Sequence, residues 1–365
     1  MTGQASDMNC FPGTRDTNNF NATVSLGTDD PEQPCNDGTT YLTRARAEVA
    51  VYVLIVVILP IISGFGIAGN VMSICVLLRH GLDKSYNVML VALACSDSSF
   101  LACMFFYSFA VTTGFEYPRR VDSFYFVFLE ILRVLDYGGG WVSFSMPLLI
   151  TSERLLAVFF PLNLSRIVSP LKTSLAVSAL FAIFYTMMTY LTVRDGLRYD
   201  IEALLVNRSD PEGMVEAAIY RNTLDVTDAV REFSKVVYGP FPICYVFFSC
   251  VVLAIKIKLA IMKRNKMTGG NAAGSASSVR VTTTLLVVCL VYTICSTVVF
   301  LCHSDVIKDY YARRQDAHMI TVVLNEVVNL FCVINCSVNF VIYVVMNKNF
   351  RDTYMDMVRF KNCCR

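Results

Sequence analysis

The chain has 365 residues, 55% of them hydrophobic and 16% charged, with a mean hydropathy of +0.52. That is too apolar and too sparsely charged for an ordinary soluble domain, and a formal net charge of +2 gives nucleic-acid binding no electrostatic support. Crossing about 30 Å of hydrocarbon takes roughly 20 mostly apolar residues in a helix, and seven stretches meet that length.

Residues 1–48 lean acidic and lack the apolar core of a secretory signal, so they are predicted to form an external tail whose following span acts as its own insertion signal. In this tail Cys10 and Cys35 form a candidate disulfide, and Asn21-Ala22-Thr23 is a glycosylation sequon. The predicted spans are Val49–Leu78, Tyr86–Thr112, Ser123–Val158, Thr173–Val193, Val236–Met262, Val281–Cys302 and His318–Met346. The fourth and fifth are joined by a long polar loop, Arg194–Lys235, richer in acids than bases and carrying the sequon Asn207-Arg208-Ser209. The fifth and sixth are joined by a basic segment with Lys256, Lys258, Lys263, Arg264, Lys266 and Arg280 around the flexible run NKMTGGNAAGSASS. Basic loops stay inside, so the amino terminus is predicted outside and the carboxyl terminus in the cytoplasm.

Residues 347–365 set Phe350, Tyr354, Met357 and Val358 against Lys348, Arg351, Arg359 and Lys361, the pattern of a helix lying in the inner membrane surface. Cys363 and Cys364 beside it are candidates for palmitoylation, the alternative being two free thiols. The fold class is therefore all-α: an integral membrane bundle of seven transmembrane helices with a short amphipathic eighth helix. No internal repeat of the transporter kind is present.

Ionisable residues inside a bilayer cost about 2.5–3.5 kcal/mol on insertion scales, which makes them functional candidates. Asp97 lies mid-way along the second span, Asp136 in the third, and Glu153 and Arg154 at the end of the third. Asn335 and Asn339 lie in the seventh. Glu130 and Glu326 fall nearer the outer span ends, where solvation explains them.

The set resembles the rhodopsin-like (class A) G-protein-coupled receptors, and the resemblance runs through the spans in order. The first span has Gly69-Asn70, like the family's GN, and the second has Asn87 ten residues before Asp97 in LACSD. The third ends SERLLAVFFPL, similar to DRYxAVxxPL with Glu153 for Asp and Leu155 for Tyr. The seventh has Asn339-Phe340-Val341-Ile342-Tyr343, similar to NPxxY with Phe for Pro, and Phe350 follows Tyr343 by seven.

The resemblance implies that Glu153 holds Arg154 at rest and that Arg154 is released on activation to admit the G protein. Asn339 and Tyr343 belong to the same coupling machinery. The competing reading of Glu153 and Arg154 is a surface pair that snorkels to the interface. It further implies a sodium ion at Asp97, Ser143, Asn335 and Asn339, an oxygen set that suits a hard cation; the alternative is a neutral Asp97 hydrogen-bonded to Asn339. Asp136 stands eighteen residues before Arg154, where amine and opioid-type receptors hold a ligand cation, with Tyr137 beside it. Arg133, three residues earlier on the same helical face, offers an internal ion pair as the rival explanation.

The chain also departs from the family. Leu129 replaces the cysteine of the usual external disulfide, and the sixth-span CWxP is reduced to Cys295-Ser296-Thr297-Val298, preceded by Tyr292. The fifth span keeps a proline at Pro240 or Pro242 but has no Tyr at the expected inner site, and Gly138–Gly140 has no family counterpart. The pattern looks closer to invertebrate peptide-type and chemosensory receptors than to vertebrate amine receptors.

The expected function is a plasma-membrane receptor carrying the signal of an extracellular peptide or small molecule to a heterotrimeric G protein. Membrane lipids would be further partners, with no nucleic acid and no required cofactor beyond allosteric sodium. A seven-helix binder that does not signal is the rival, and a channel or transporter ranks below it. Catalysis is not expected: His80, His303 and His318 are widely separated, and no HExxH, nucleophile elbow or phosphate loop occurs.

Overall fold

The computed structural model describes residues 42–113, 119–160, 167–206, 229, 233, 239–268, 276–312, 314 and 316–363, with side chains over a smaller set. Cys10, Cys35, Asn21, Asn207 and Cys364 lie outside the described residues, as do the side chains of Arg133, Leu129, Glu130 and Cys363. Every regular element among the described residues is a helix.

Seven helices are long and apolar enough to cross a membrane: Arg44–Arg79, Ser85–Tyr107, Val134–Phe159, Pro170–Val193, Pro240–Met262, Thr282–His303 and Ala317–Met346. Several continue further, the third being part of one helix from Arg119 to Phe159. At 1.5 Å per residue that helix is about 60 Å long, roughly twice the hydrocarbon thickness. A short helix, Asp305–Ala312, joins spans six and seven, and the amphipathic eighth helix, Lys348–Cys363, follows the seventh. Span one packs on spans two and seven, and span three touches spans two, four, five and six, which makes it the central post. Its side chains from Gly138 to Met146 are all buried. Phe65, Leu171, Leu175 and Phe248 point outward from the bundle, as lipid-facing residues do.

Local irregularities have identifiable causes. In span one a π-helical turn, Val53–Ile58, precedes Pro60. The proline has no N–H for the Val56 carbonyl and its ring would crowd it, so the helix widens there. Span seven breaks at Val338, between Ser337 and Asn339, although Phe340 stands where the rhodopsin-like motif it resembles has proline. Here the Asn70 amide donates to the Cys336 carbonyl at 3.0 Å, engaging an oxygen that Phe340 N–H would take in a regular helix. The kink is thus imposed from span one rather than by proline.

Close approach explains the glycines. A Cβ on Gly139 would stand 3.0 Å from the Ser96 carbonyl oxygen and 3.1 Å from the Phe100 nitrogen, so spans two and three meet backbone to backbone. A Cβ on Gly138 would lie 2.8 Å from the Tyr185 ring of span four. The triple glycine therefore lets the central post accept two neighbours at short range. Gly69 similarly leaves space for Phe340, whose ring packs edge-on against Tyr354 at 5.4 Å and Phe350 at 6.2 Å. Phe340 thereby anchors the eighth helix. Arg351 completes the joint by donating to the carbonyls of Val344 and Val345 at the end of span seven.

At the end of the bundle away from the eighth helix, Arg314 pairs with Asp316 at 2.9 Å, and Asp316 accepts the Leu42 N–H at 3.1 Å. This buried aspartate ties the segment before span one to the start of span seven.

Candidate functional site

The polar residues inside the bundle fall at three levels. At the level farthest from the eighth helix, Asp136 is 7% exposed and its Oδ1 has no hydrogen-bond partner. It lies within electrostatic reach of Cys103 on span two and Cys332 on span seven, so it faces the interior between them. Tyr137 beside it is half-buried against the core. Glu326 stands six residues before Cys332 in span seven. The sequence reading assigned Glu326 to solvent, and the structure corrects this: it is fully buried and accepts the Asn329 amide at 3.0 Å. Its nearness to the span end was misleading because the neighbouring helices extend past it.

In the middle level, Ser143 donates to Asp97 Oδ1 at 2.5 Å and Asn339 donates to Asp97 Oδ2 at 2.7 Å. Spans two, three and seven are joined there through a carboxylate that is fully buried. Hydrogen bonds to a charged group are each worth about 1.5–3 kcal/mol. Asn335 is buried one turn away but takes no part in these two bonds, while the Cys336 thiol lies 3.7 Å from Ser143 Oγ. Pro147 has no N–H for the Ser143 carbonyl, so that oxygen lacks its usual helical donor. The Asp97 carboxylate and the Ser143 hydroxyl are oxygen donors of the type a hard cation takes, with the Cys336 thiol a soft neighbour.

Around and below the middle level, span three meets its neighbours through rings and hydroxyls. Phe144 packs edge-on against Tyr292 of span six at 5.9 Å, and Trp141 against Phe184 of span four at 5.6 Å. The Ser152 and Tyr245 hydroxyls are 2.7 Å apart, giving span five a tyrosine contact to span three at a position the family motif did not suggest.

At the level of the eighth helix, Arg154 Nε lies 2.6 Å from Glu153 Oε2, and both side chains are 10% exposed. The distance is that of an ion pair, but neither atom meets hydrogen-bond geometry and Arg154 Nη2 is also unpartnered. The guanidinium lies instead over the Tyr86 ring, 5.0 Å from its centroid. A planar fork of five donors is therefore held by charge and by a ring face, with most of its donors unused. Burying such a pair is costly unless its hydrogen bonds are made, so the arrangement is easily exchanged for one that offers acceptors. Tyr86 also lines a cavity of about 240 Å³ between spans one, two, six and seven and the eighth helix, and the buried Tyr343 hydroxyl there has no partner. Sequence motifs located Glu153, Arg154, Asn339 and Tyr343; Tyr86 carries no motif and could be found only from the fold.

Comparison with known proteins matches residues 57–361 to the family of serpentine type 7TM GPCR chemoreceptors called Srw. The Caenorhabditis elegans G-protein coupled receptor candidate F59B2.13 is 23% identical over 324 residues, covering 82% of this chain and 72% of that protein. The Mas-related G-protein coupled receptor member B4 of Rattus norvegicus is 29% identical over 153 residues, covering 41% of this chain and 44% of that one. The family match spans most of the chain, from within the first membrane-crossing helix into the eighth helix. The chain is a G-protein-coupled receptor of the Srw chemoreceptor family.

Proposed function

We propose that this receptor operates in the rhodopsin-like manner, with its amino terminus outside the plasma membrane and the eighth helix on the cytoplasmic side. The observation that carries the reading is the state of Arg154: buried, paired with Glu153, stacked on Tyr86, and lacking an aligned hydrogen bond at Nε and Nη2. Such a group gains from meeting carbonyl or carboxylate acceptors of a docking G protein, so the active arrangement is favoured by exactly the contacts the resting one lacks. The basic run between spans five and six, including Lys263, Arg264, Lys266 and Arg280, would face the G protein and anionic lipid.

Ligand recognition is assigned to Asp136. A buried carboxylate with an unused oxygen is stabilised by an ammonium or guanidinium group, which makes a cationic peptide or amine the favoured ligand class. Asp97, Ser143 and Asn339 would hold sodium, which supplies a positive charge opposing inward movement of span seven. A second reading also has an observation in its favour: both Asp97 oxygens already accept donors, as they would in a purely hydrogen-bonded joint.

The test is G-protein activation in a heterologous cell with a promiscuous Gα and a library of amidated peptides, amines and uncharged odorants. Cationic ligands should activate the wild type and lose potency at Asp136→Asn at equal surface expression. Full potency at Asp136→Asn would remove Asp136 from the ligand site.

A further inference from the structure

The cavity beneath Arg154 is rich in donors, and none of its lining residues is a carboxylate. Lys84 stands at its edge, its ammonium 5.9 Å from the Tyr86 ring centroid, with no carboxylate paired to it among the described residues. His80 also lines it, its Nε2 2.7 Å from Thr353 Oγ1; burial and the Lys84 charge lower its pKa, so at neutral pH it adds no second full charge. Deeper in, the Tyr343 side chain is only 3% exposed and its hydroxyl has no partner. Leaving a buried hydroxyl unpaired costs about 1–3 kcal/mol, which an acceptor placed in the cavity would recover. Leu285 and Phe350 supply apolar wall.

We propose that this cavity is a binding site for a phosphate monoester, its oxygens taking the Lys84 ammonium and the Tyr343 hydroxyl while its small carrier covers Leu285 and Phe350. A phosphate suits donors that approach from different sides, because it presents three strong acceptor oxygens and at least one negative charge. The volume of about 240 Å³ limits the carrier to something the size of a lipid headgroup or a small soluble ester. The lining is shared by spans one, two, six and seven, the loop before span two and the eighth helix. Displacing span six would remove Thr284 and Leu285 from the wall, so a bound ester favours the present packing and keeps Tyr86 under Arg154. The inhibitory consequence rests on this face being the one that meets the G protein; the binding itself does not.

The test uses the full-length receptor in phosphatidylcholine nanodiscs titrated with sn-glycerol 3-phosphate, beside nanodiscs that contain phosphatidic acid. Binding is read by calorimetry and by the rise in unfolding temperature. Lys84→Gln should weaken binding about tenfold, the loss of one charge-assisted contact. Tyr343→Phe should weaken it several-fold, and Lys348→Gln, an exposed lysine outside the cavity, should leave it unchanged. Lys84-dependent binding of the soluble ester identifies a free phosphate ligand, and Lys84-dependent stabilisation by phosphatidic acid alone identifies a headgroup. The proposal fails if neither probe responds to Lys84→Gln, or if Lys348→Gln weakens both equally. Because binding is read without G protein, a positive result stands even if this face proves not to couple.

Discussion

Gly139→Ala is a sharp test of how the central post is packed. An added methyl would sit 3.0 Å from the Ser96 carbonyl oxygen, 3.1 Å from the Phe100 nitrogen and 3.2 Å from Ser99 Cβ. The first two are main-chain atoms of a transmembrane helix, so no side chain can turn aside; spans two and three must part by a few tenths of an ångström. Overpacking of this kind costs about 1–3 kcal/mol, against about 1 kcal/mol gained from alanine's better helix propensity. The net is a loss of up to about 2 kcal/mol. Gly64→Ala is the matched control, since its new methyl would meet only Phe105 Cε2, at 3.9 Å. Thermal unfolding of the purified chain in one lipid composition should place Gly64→Ala at or above wild type and Gly139→Ala several degrees below. Because Asp136 lies three residues before Gly139, agonist potency should fall in the same variant. Equal unfolding temperatures for the two variants would refute the backbone contact between spans two and three.

Glu153→Gln removes the charge that holds Arg154, and its ligand-independent G-protein activation should exceed wild type; Tyr86→Leu, which loses a cation–π contact worth about 1 kcal/mol, should raise it a few-fold. Unchanged basal activity in both would mean that neither contact restrains Arg154. Asp97→Asn keeps one acceptor oxygen and should destabilise less than Asp97→Ala, which strands donors on both Ser143 and Asn339 at about 1–3 kcal/mol each. Replacing sodium by N-methylglucamine should alter agonist affinity in wild type only; a sodium-insensitive wild type would leave Asp97 a purely hydrogen-bonded joint. His80, whose Nε2 is 2.7 Å from Thr353 Oγ1, has its pKa lowered by partial burial and then by Lys84. The unfolded chain thus binds the proton more readily, so this contribution is present above the ordinary histidine pKa and is lost as pH falls through it. Unfolding temperature should decline on acidification from pH 7 toward about 5.5, less steeply in His80→Gln, and identical slopes would contradict the assignment.

The seven spans were legible because hydrocarbon thickness sets helix length, and that signal needs no tertiary information. The polar positions were legible for the same reason: a carboxylate at Asp97 or an arginine at Arg154 stands out against apolar neighbours. What the sequence could not carry was which neighbour each would meet. Tyr86 reads as an ordinary span residue until the fold sets its ring under Arg154. The glycines at 138 and 139 have no family counterpart, and only the fold shows that Tyr185 and the Ser96 carbonyl need the room. The seventh span has Phe340 where the motif has proline, and the Asn70 contact to the Cys336 carbonyl at its break is visible only in the fold. Glu326 was misread because distance along one helix says little about burial when adjacent helices are longer.

The most direct test of the central claim is guanine-nucleotide exchange on heterotrimeric G protein by the reconstituted receptor, comparing wild type with Arg154→Ala at equal amounts of folded protein and saturating agonist. The account predicts exchange in the wild type and its loss in Arg154→Ala with agonist binding retained. Full exchange by Arg154→Ala would contradict it.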